Sequence, residues 1–225
     1  MVVPYSVVIP VYNGADTIGA AIASILGQSL PPSAIVVVDD GSTDATADIV
    51  RTLAGPITLL QQDNAGPGPA TTLGIQHVET PLLATLDADD LWLAHKIERQ
   101  MAVLESTPDC AAVFGKLASF RDDPASADFA GARDGWSRST MLVRRDAAVQ
   151  TGAIADLPGR AGEMIDWWAR MRERGHILTM LPEVLALRRI RPGSLTHGNS
   201  GLGGAYLQVA RAALERRRQS AKGSS

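Results

Sequence analysis

The sequence predicts an α/β fold in which a Rossmann-like, mainly parallel sheet is flanked by helices. Two observations carry that expectation. Apolar, strand-like runs alternate with segments of helical periodicity through the first half of the chain, and strands spaced by helices pair in parallel through right-handed crossovers. The run Ile35-Val36-Val37-Val38 is also β-branched throughout, as in a strand covered on both faces.

The elements follow in order. Residues 6–10 form a short apolar strand, and 15–26 a helix with Ile18, Ala21, Ile22 and Ile25 on one face. After the strand at 35–38, Ser42 or Thr43 is placed to cap a helix whose positive end attracts Asp44 and Asp48. A strand at 57–60, a Gly/Pro-rich turn, a short helix at 70–77, a strand at 82–86 and a helix at 92–104 complete the regular part. Beyond it, Cys110 opens a buried strand as a small apolar side chain, and the strand continues through 111–120. Residues 122–135 read as a polar loop, 140–143 as a strand, 145–150 as a helical turn and 163–174 as an amphipathic helix. A late strand at 184–190 and a terminal helix at 204–219 end the pattern.

With 225 residues, 45% of them hydrophobic, the chain fits one domain with a sizeable core. A net charge of −3 gives no reason to expect nucleic acid as a partner. Cys110 is the single cysteine, so a reducing cytoplasm is the default. Strand-like residues begin by Tyr5, leaving no room for a signal peptide, and no apolar run reaches the roughly 18 residues a membrane span needs. The expected location is cytoplasmic, with peripheral contact to anionic lipid left open through the basic residues 216–218 of the terminal helix.

Open α/β sheets bind ligands beyond the carboxyl ends of their strands. Three polar loops leave strands there: Tyr12-Asn13-Gly14, Asp39-Asp40-Gly41-Ser42 and Asp87-Ala88-Asp89-Asp90. With 17 Asp in the chain, an Asp-x-Asp triplet arises by chance roughly once, so position carries the meaning. Three carboxylates within four residues at the end of a buried strand repel one another. Mn²⁺ or Mg²⁺ suits such oxygen ligands and would also hold a substrate diphosphate. The alternative is a solvated loop in which Asp90 caps a helix at Trp92. Gly66-Pro67-Gly68 is no dinucleotide fingerprint, because the third glycine is missing and two prolines interrupt the turn.

Together, the segments Val7 to Asn13, Val36 to Asp44 and Leu86 to Asp90 resemble the family-2 glycosyltransferases of GT-A fold, and specifically a small bacterial-type member. Order and separation match as well as residue type, over about residues 6–197. The resemblance implies a single GT-A domain. Residues 1–110 would bind the nucleotide sugar, 111–200 would form a small acceptor-side region, and 201–225 would be a C-terminal helix and tail. The implied donor is a nucleotide sugar, with a UDP-sugar favoured, and the acceptor a glycan, a lipid-linked glycan or a polypeptide. Pro10 and Tyr12 would border the base with Asn13 beside them, and Asp40 or Asp39 would hydrogen-bond it. Asn64 and Ala88 fall on further donor-side positions. Asp89 would be the direct metal ligand, with Asp87 a second one near the ribose or sugar.

The family is expected to invert the anomeric centre, using a carboxylate to take the acceptor's proton. The matching stretch is Gly162-Glu163-Met164-Ile165-Asp166-Trp167-Trp168, and the usual second acid aligns with Met164. Glu163 and Asp166, three apart on one helix face, are the remaining candidates for the base, Glu163 favoured. At most one of Trp167 and Trp168 is expected to line an acceptor pocket. A second departure is Ala70-Thr71-Thr72, where relatives tend to read Ala-Arg-Asn. Arg189 and Arg191, on one face of the late strand, are the candidates to supply the missing positive charge to the phosphates. His197 is a weaker candidate, and Arg144-Arg145 reads as an exposed basic pair.

Overall fold

The computed structural model describes residues 3–154, 162–190, 211–213 and 216. The first strand, β1 (Tyr5–Val11), is buried along its whole length and pairs in parallel with β2 (Ala34–Asp39) on one side and β4 (Leu82–Thr85) on the other. β3 (Ile57–Gln61) extends the parallel region beyond β2. The helices α1 (Ile18–Leu26), α2 (Thr46–Thr52) and α3 (Pro67–Gln76) make the crossovers, so the alternation read in the sequence holds.

The remainder is mixed in direction. After β5 (Leu91–Trp92) and α4 (Lys96–Ser106) come β6 (Cys110–Phe120), β7 (Asp128–Asp134), β8 (Leu142–Arg144), α5 (Arg145–Thr151), α6 (Glu163–Glu173) and β9 (Ile177–Arg189). The sheet runs β3-β2-β1-β4-β8-β6-β9-β5, with β7 also on β6. The antiparallel β4–β8 pairing joins the two halves edge to edge.

Side chains alternate along each strand and so feed two cores. Val7, Ile9 and Val11 pack with α1, α2 and α4, whereas Val8, Val36 and Val38 meet α3, α5 and α6. A Cβ at Gly74 of α3 would lie 2.3 Å from Val8 Cγ1, so the backbone itself rests on β1 there. Cys110 is buried, as its position in the sequence predicts.

Several expectations need correction. The helix expected at 92–104 begins only at Lys96, because Leu91 and Trp92 pair with Leu187 and Ala186 of β9. Residues 122–135 are not a plain loop but contain β7, a strand with almost no buried residue and hence no alternation to reveal it. β9 begins seven residues before the expected strand, at Ile177 rather than 184. The Gly/Pro-rich turn supplies the first turn of α3, with Pro67 where a missing N–H costs nothing. α2 is started by Asp44, which accepts from the Thr46 N–H, while Ser42 and Thr43 bind Asn13 instead. Arg144 and Arg145 are no exposed pair: their guanidinium groups donate to the main-chain carbonyls of Cys110, Leu104 and Val78. The terminal helix expected at 204–219 lies largely outside the described residues. No helix among the described residues is long and apolar enough to cross a membrane.

α4 is tied to the mixed half by two buried polar side chains. Gln100 Nε2 donates to the carbonyls of Val113 and Thr140 at 2.7 and 2.6 Å. Lys96 Nζ donates to Gln100 Oε1 at 2.7 Å and sits 4.1 Å above the Trp92 ring. Replacing Gln100 by Leu removes the donor to two carbonyls and leaves Lys96 Nζ only its 3.4 Å bond to the Met141 carbonyl, and is expected to cost about 2–4 kcal/mol in denaturant unfolding. Burial holds the Lys96 pKa well below its ordinary value. Between the depressed folded value and about 10.4 the unfolded chain binds the extra proton, so stability from this group rises with pH. Lys96→Met should remove that slope, and its stability relative to the parent should fall as the pH of the melt is raised towards 10.

Candidate functional site

The three polar loops meet at the carboxyl ends of β1, β2 and β4. Asn13 takes a positive φ of 49°, which turns its side chain back to accept from the Thr43 N–H at 2.8 Å. Its own N–H donates to Ser42 Oγ at 2.9 Å, and the Gly14 N–H donates to Thr46 Oγ1. A Cβ on Gly14 would stand 2.5 Å from Val11 Cγ2, so glycine lets the first loop turn back on β1, with Ala88 of the acidic loop at ordinary contact distance, 3.7 Å. Pro10 is buried beneath this junction, and Tyr12 projects from it with half its surface exposed.

The two aspartates of the second loop are buried and bound to the protein. Asp39 accepts from the Ser42 N–H and from Gln61 Nε2. Asp40 accepts from Gln62 Nε2, the Ala65 N–H and the Gly66 N–H, at 2.7, 2.9 and 2.8 Å. Asn64 Nδ2 donates to the Asp40 carbonyl. Asp40 thus shapes the turn that enters α3, a use the sequence did not suggest. Gly41 has a φ of 76°, and a Cβ there would meet the Asn64 nitrogen at 2.9 Å.

The acidic loop leaves β4 and is clamped by a 3₁₀ turn at Arg138–Thr140. The Thr85 hydroxyl donates to the Arg138 carbonyl at 2.7 Å, Trp92 Nε1 to the Ser139 carbonyl at 2.7 Å, and the Ser139 hydroxyl to Asp90 Oδ2 at 2.5 Å. Asp90 also accepts from the Arg189 N–H. It is therefore neither solvated nor a helix cap, which removes the alternative drawn from the sequence. Burial, then the charges of Asp87 and Asp89, hold its carboxyl well above the usual range. Ala88 and Asp89 are half-buried, and the Asp89 carbonyl accepts from Arg189 Nε. Arg189 lies over Phe120, 4.5 Å from the ring centroid. Its partner in the sequence argument, Arg191, lies outside the described residues, as does His197.

Arg138, which joins two of the candidate site residues, is the residue that the sequence reading missed. Its Nη1 donates to Asp87 Oδ1 at 2.8 Å and its Nη2 to Glu163 Oε1 at 2.7 Å. The guanidinium is buried, and its Nε–H has no partner. Burial works against the charge, but the carboxylates of Asp87 and Glu163 outweigh it and raise its pKa further. The only sequence signal is one Arg between Ser137 and Ser139 just before a buried strand. Its partners are 51 and 25 residues away.

The two candidate bases diverge. Glu163, at the first position of α6, turns towards Arg138 and the acidic loop. Asp166 does not share that direction: its oxygens accept from Arg170 Nε at 3.0 Å and Arg216 Nη1 at 2.9 Å. Arg216, the first of the basic residues of the expected terminal helix, also pairs with Glu173. Met164 packs into the second core, and both Trp167 and Trp168 are buried, so neither tryptophan presents an open face. Thr71, where relatives tend to carry Arg, is fully buried and donates to the Pro67 carbonyl.

Known proteins resemble this arrangement in sequence and in fold. The model of "Glycosyl transferase family 2" matches residues 6–145. An uncharacterized glycosyltransferase of Rickettsia prowazekii is 38% identical over 99 residues, 44% of this chain and 31% of its own length. The putative teichuronic acid biosynthesis glycosyltransferase TuaG of Bacillus subtilis is 26% identical over 207 residues, covering 85% of this chain and 81% of that protein. The matched stretch spans about a third of the first curated relatives. Among solved structures, S. aureus TarS 1–349 in complex with UDP-GlcNAc superposes with a TM-score of 0.71 at 18% identity, over 93% of this chain and 65% of that one. The shared architecture is the GT-A fold. With its matched motif segment, its sheet and its acidic loop in these positions, the chain belongs to glycosyl transferase family 2.

Proposed function

We propose that this chain is an inverting glycosyltransferase that moves a sugar from a nucleotide-sugar donor, a UDP-sugar being favoured, to the hydroxyl of a glycan, lipid-linked glycan or polypeptide. One observation carries the reading: a single guanidinium holds Asp87 of the acidic loop and Glu163 of α6 side by side. Donor loop and proton acceptor thereby meet at one point. The UDP-GlcNAc bound by TarS supports the choice of donor.

Asp89 and Asp87 are assigned to Mn²⁺ or Mg²⁺. Among the described residues no group of three or more His, Cys, Asp or Glu lies together as a ready-made cage. Two carboxylates completed by diphosphate oxygens and water fit the usual way Mg²⁺ is held beside substrate phosphates. When bound, the cation neutralises charge building on the leaving diphosphate. Pro10, Tyr12 and Asn13 border the base, with the exposed Tyr12 ring as its stacking face. Asp39 and Asp40 act by fixing the loops, including the turn that carries Asn64. Glu163 accepts the proton of the acceptor hydroxyl as its oxygen attacks the anomeric carbon. The bond from that carbon to the diphosphate oxygen breaks on the opposite face, which inverts the centre. Asp166, held by two arginines, serves the packing of α6.

A second reading, a nucleotide-sugar-binding protein without turnover, draws on Met164, which places an apolar side chain in the core where relatives carry an acid. One assay separates the two: UDP-, GDP- and dTDP-sugars, with and without Mn²⁺, followed by nucleotide release and thermal shift. The enzyme should release UDP, and Glu163→Gln should slow release by about 10²- to 10⁴-fold while keeping the thermal shift. Asp89→Asn should abolish the Mn²⁺-dependent part of that shift. A shift without release across the acceptor classes favours the binder, and indifference to every nucleotide overturns both.

A further inference from the structure

We infer that Arg138 is a positioning residue that couples the two halves of the site. It anchors the Glu163 carboxylate where an acceptor hydroxyl must come, and it moderates the pull of the acidic loop on the divalent cation. The inference rests on the donor-site reading above.

Its geometry is a planar fork shared between two elements. Nη1 reaches Asp87 Oδ1 at 2.8 Å and Nη2 reaches Glu163 Oε1 at 2.7 Å. The main chain beneath the fork is fixed, because the Arg138 carbonyl accepts from the buried Thr85 of β4. The Nε–H is buried without a partner, so among the described residues the two carboxylates are what hold the guanidinium by hydrogen bonds. The Glu163 side chain is 10% exposed and that of Asp87 35%. The bond to Glu163 is the better shielded, and Asp87 retains the solvent access a substrate-borne cation needs.

Two opposite effects follow from removing the guanidinium. The negative field of Asp87 is no longer offset by the guanidinium, so Mn²⁺ and the diphosphate it carries should bind more tightly. Glu163 loses the donor that orients it, so transfer should slow. A side chain that only supported the fold would weaken binding and turnover together.

The test compares the full chain with Arg138→Met and Arg138→Lys. Calorimetry follows UDP in the presence of Mn²⁺, UDP release follows turnover of the UDP-sugar selected above, and thermal unfolding checks the fold. Arg138→Met should bind UDP with Mn²⁺ about 3- to 10-fold more tightly while kcat falls at least about tenfold. Lysine keeps the charge but has no fork to span both acids, so Arg138→Lys should shift both quantities in the same directions by less. If Arg138→Met does not fold, Arg138→Lys decides alone. Parallel loss of binding and turnover, or no change in either, overturns the inference while the donor site stands. A parent chain that binds no UDP with Mn²⁺ overturns the donor-site reading, and this inference with it.

Discussion

A buried guanidinium between two carboxylates from distant parts of the chain is the constraint around which the site is arranged. Taking charged groups out of water is costly, as it is for Arg138 and Glu163 here, and the cost is offset only when geometry is good and the lone pairs and N–H groups find partners. Arg138 meets the first condition with two short bonds, and meets the second incompletely, since its Nε–H is left without a partner. A residue kept only for stability would be better replaced by apolar packing of similar volume. The arrangement makes sense if the relative position of Asp87 and Glu163 is what is being held.

That position depends in turn on the 3₁₀ turn at Arg138–Thr140, which is bonded on every side. Thr85 of β4, Trp92 of β5 and Gln100 of α4 each donate to one of its carbonyls, and Ser139 ties it to Asp90. The antiparallel β4–β8 pairing brings the turn to the end of β4. The sheet thus does two things at one edge: its parallel half aligns the polar loops, and its mixed half lays a rigid turn across the acidic loop. Gln100 and Lys96 matter because they hold α4 against that turn.

The parallel half was legible in the sequence because its signals are local. A β-branched run, a helix face and a Gly/Pro turn each occupy a few consecutive residues, and their order dictates the topology. The position of the acidic loop followed from the same order. What stayed hidden was long-range. β7 carries no alternation because almost none of it is buried. The helix at 92 was misplaced because β5 depends on pairing with β9, nearly a hundred residues later. Helical spacing put Glu163 and Asp166 on one face, but spacing cannot say which acid meets an arginine of its own helix. Asp166 has Arg170 one turn on, together with Arg216, and turns towards them. Arg138 gave no sign, since an isolated Arg among serines has no pattern until both partners are in place.

The charge balance explains why the departures from the family pattern do not empty the site. Thr71 brings no cation, and its full burial on α3, with the hydroxyl bonded to the Pro67 carbonyl, leaves no room for one to be added by small adjustment. Two arginines instead reach the acidic loop from other elements: Arg138 takes Asp87, and Arg189 gives its backbone N–H to Asp90 and its Nε–H to the Asp89 carbonyl. Asp90, its carboxyl pushed up by burial and by two neighbouring aspartates, is the acid least able to carry a charge. Asp90 is absorbed into the fold through Ser139 and the Arg189 N–H, whereas Asp87 is shared with Arg138 and stays partly open to solvent. A cluster that in the bare sequence is three equivalent carboxylates becomes, through its neighbours, three groups with separate work.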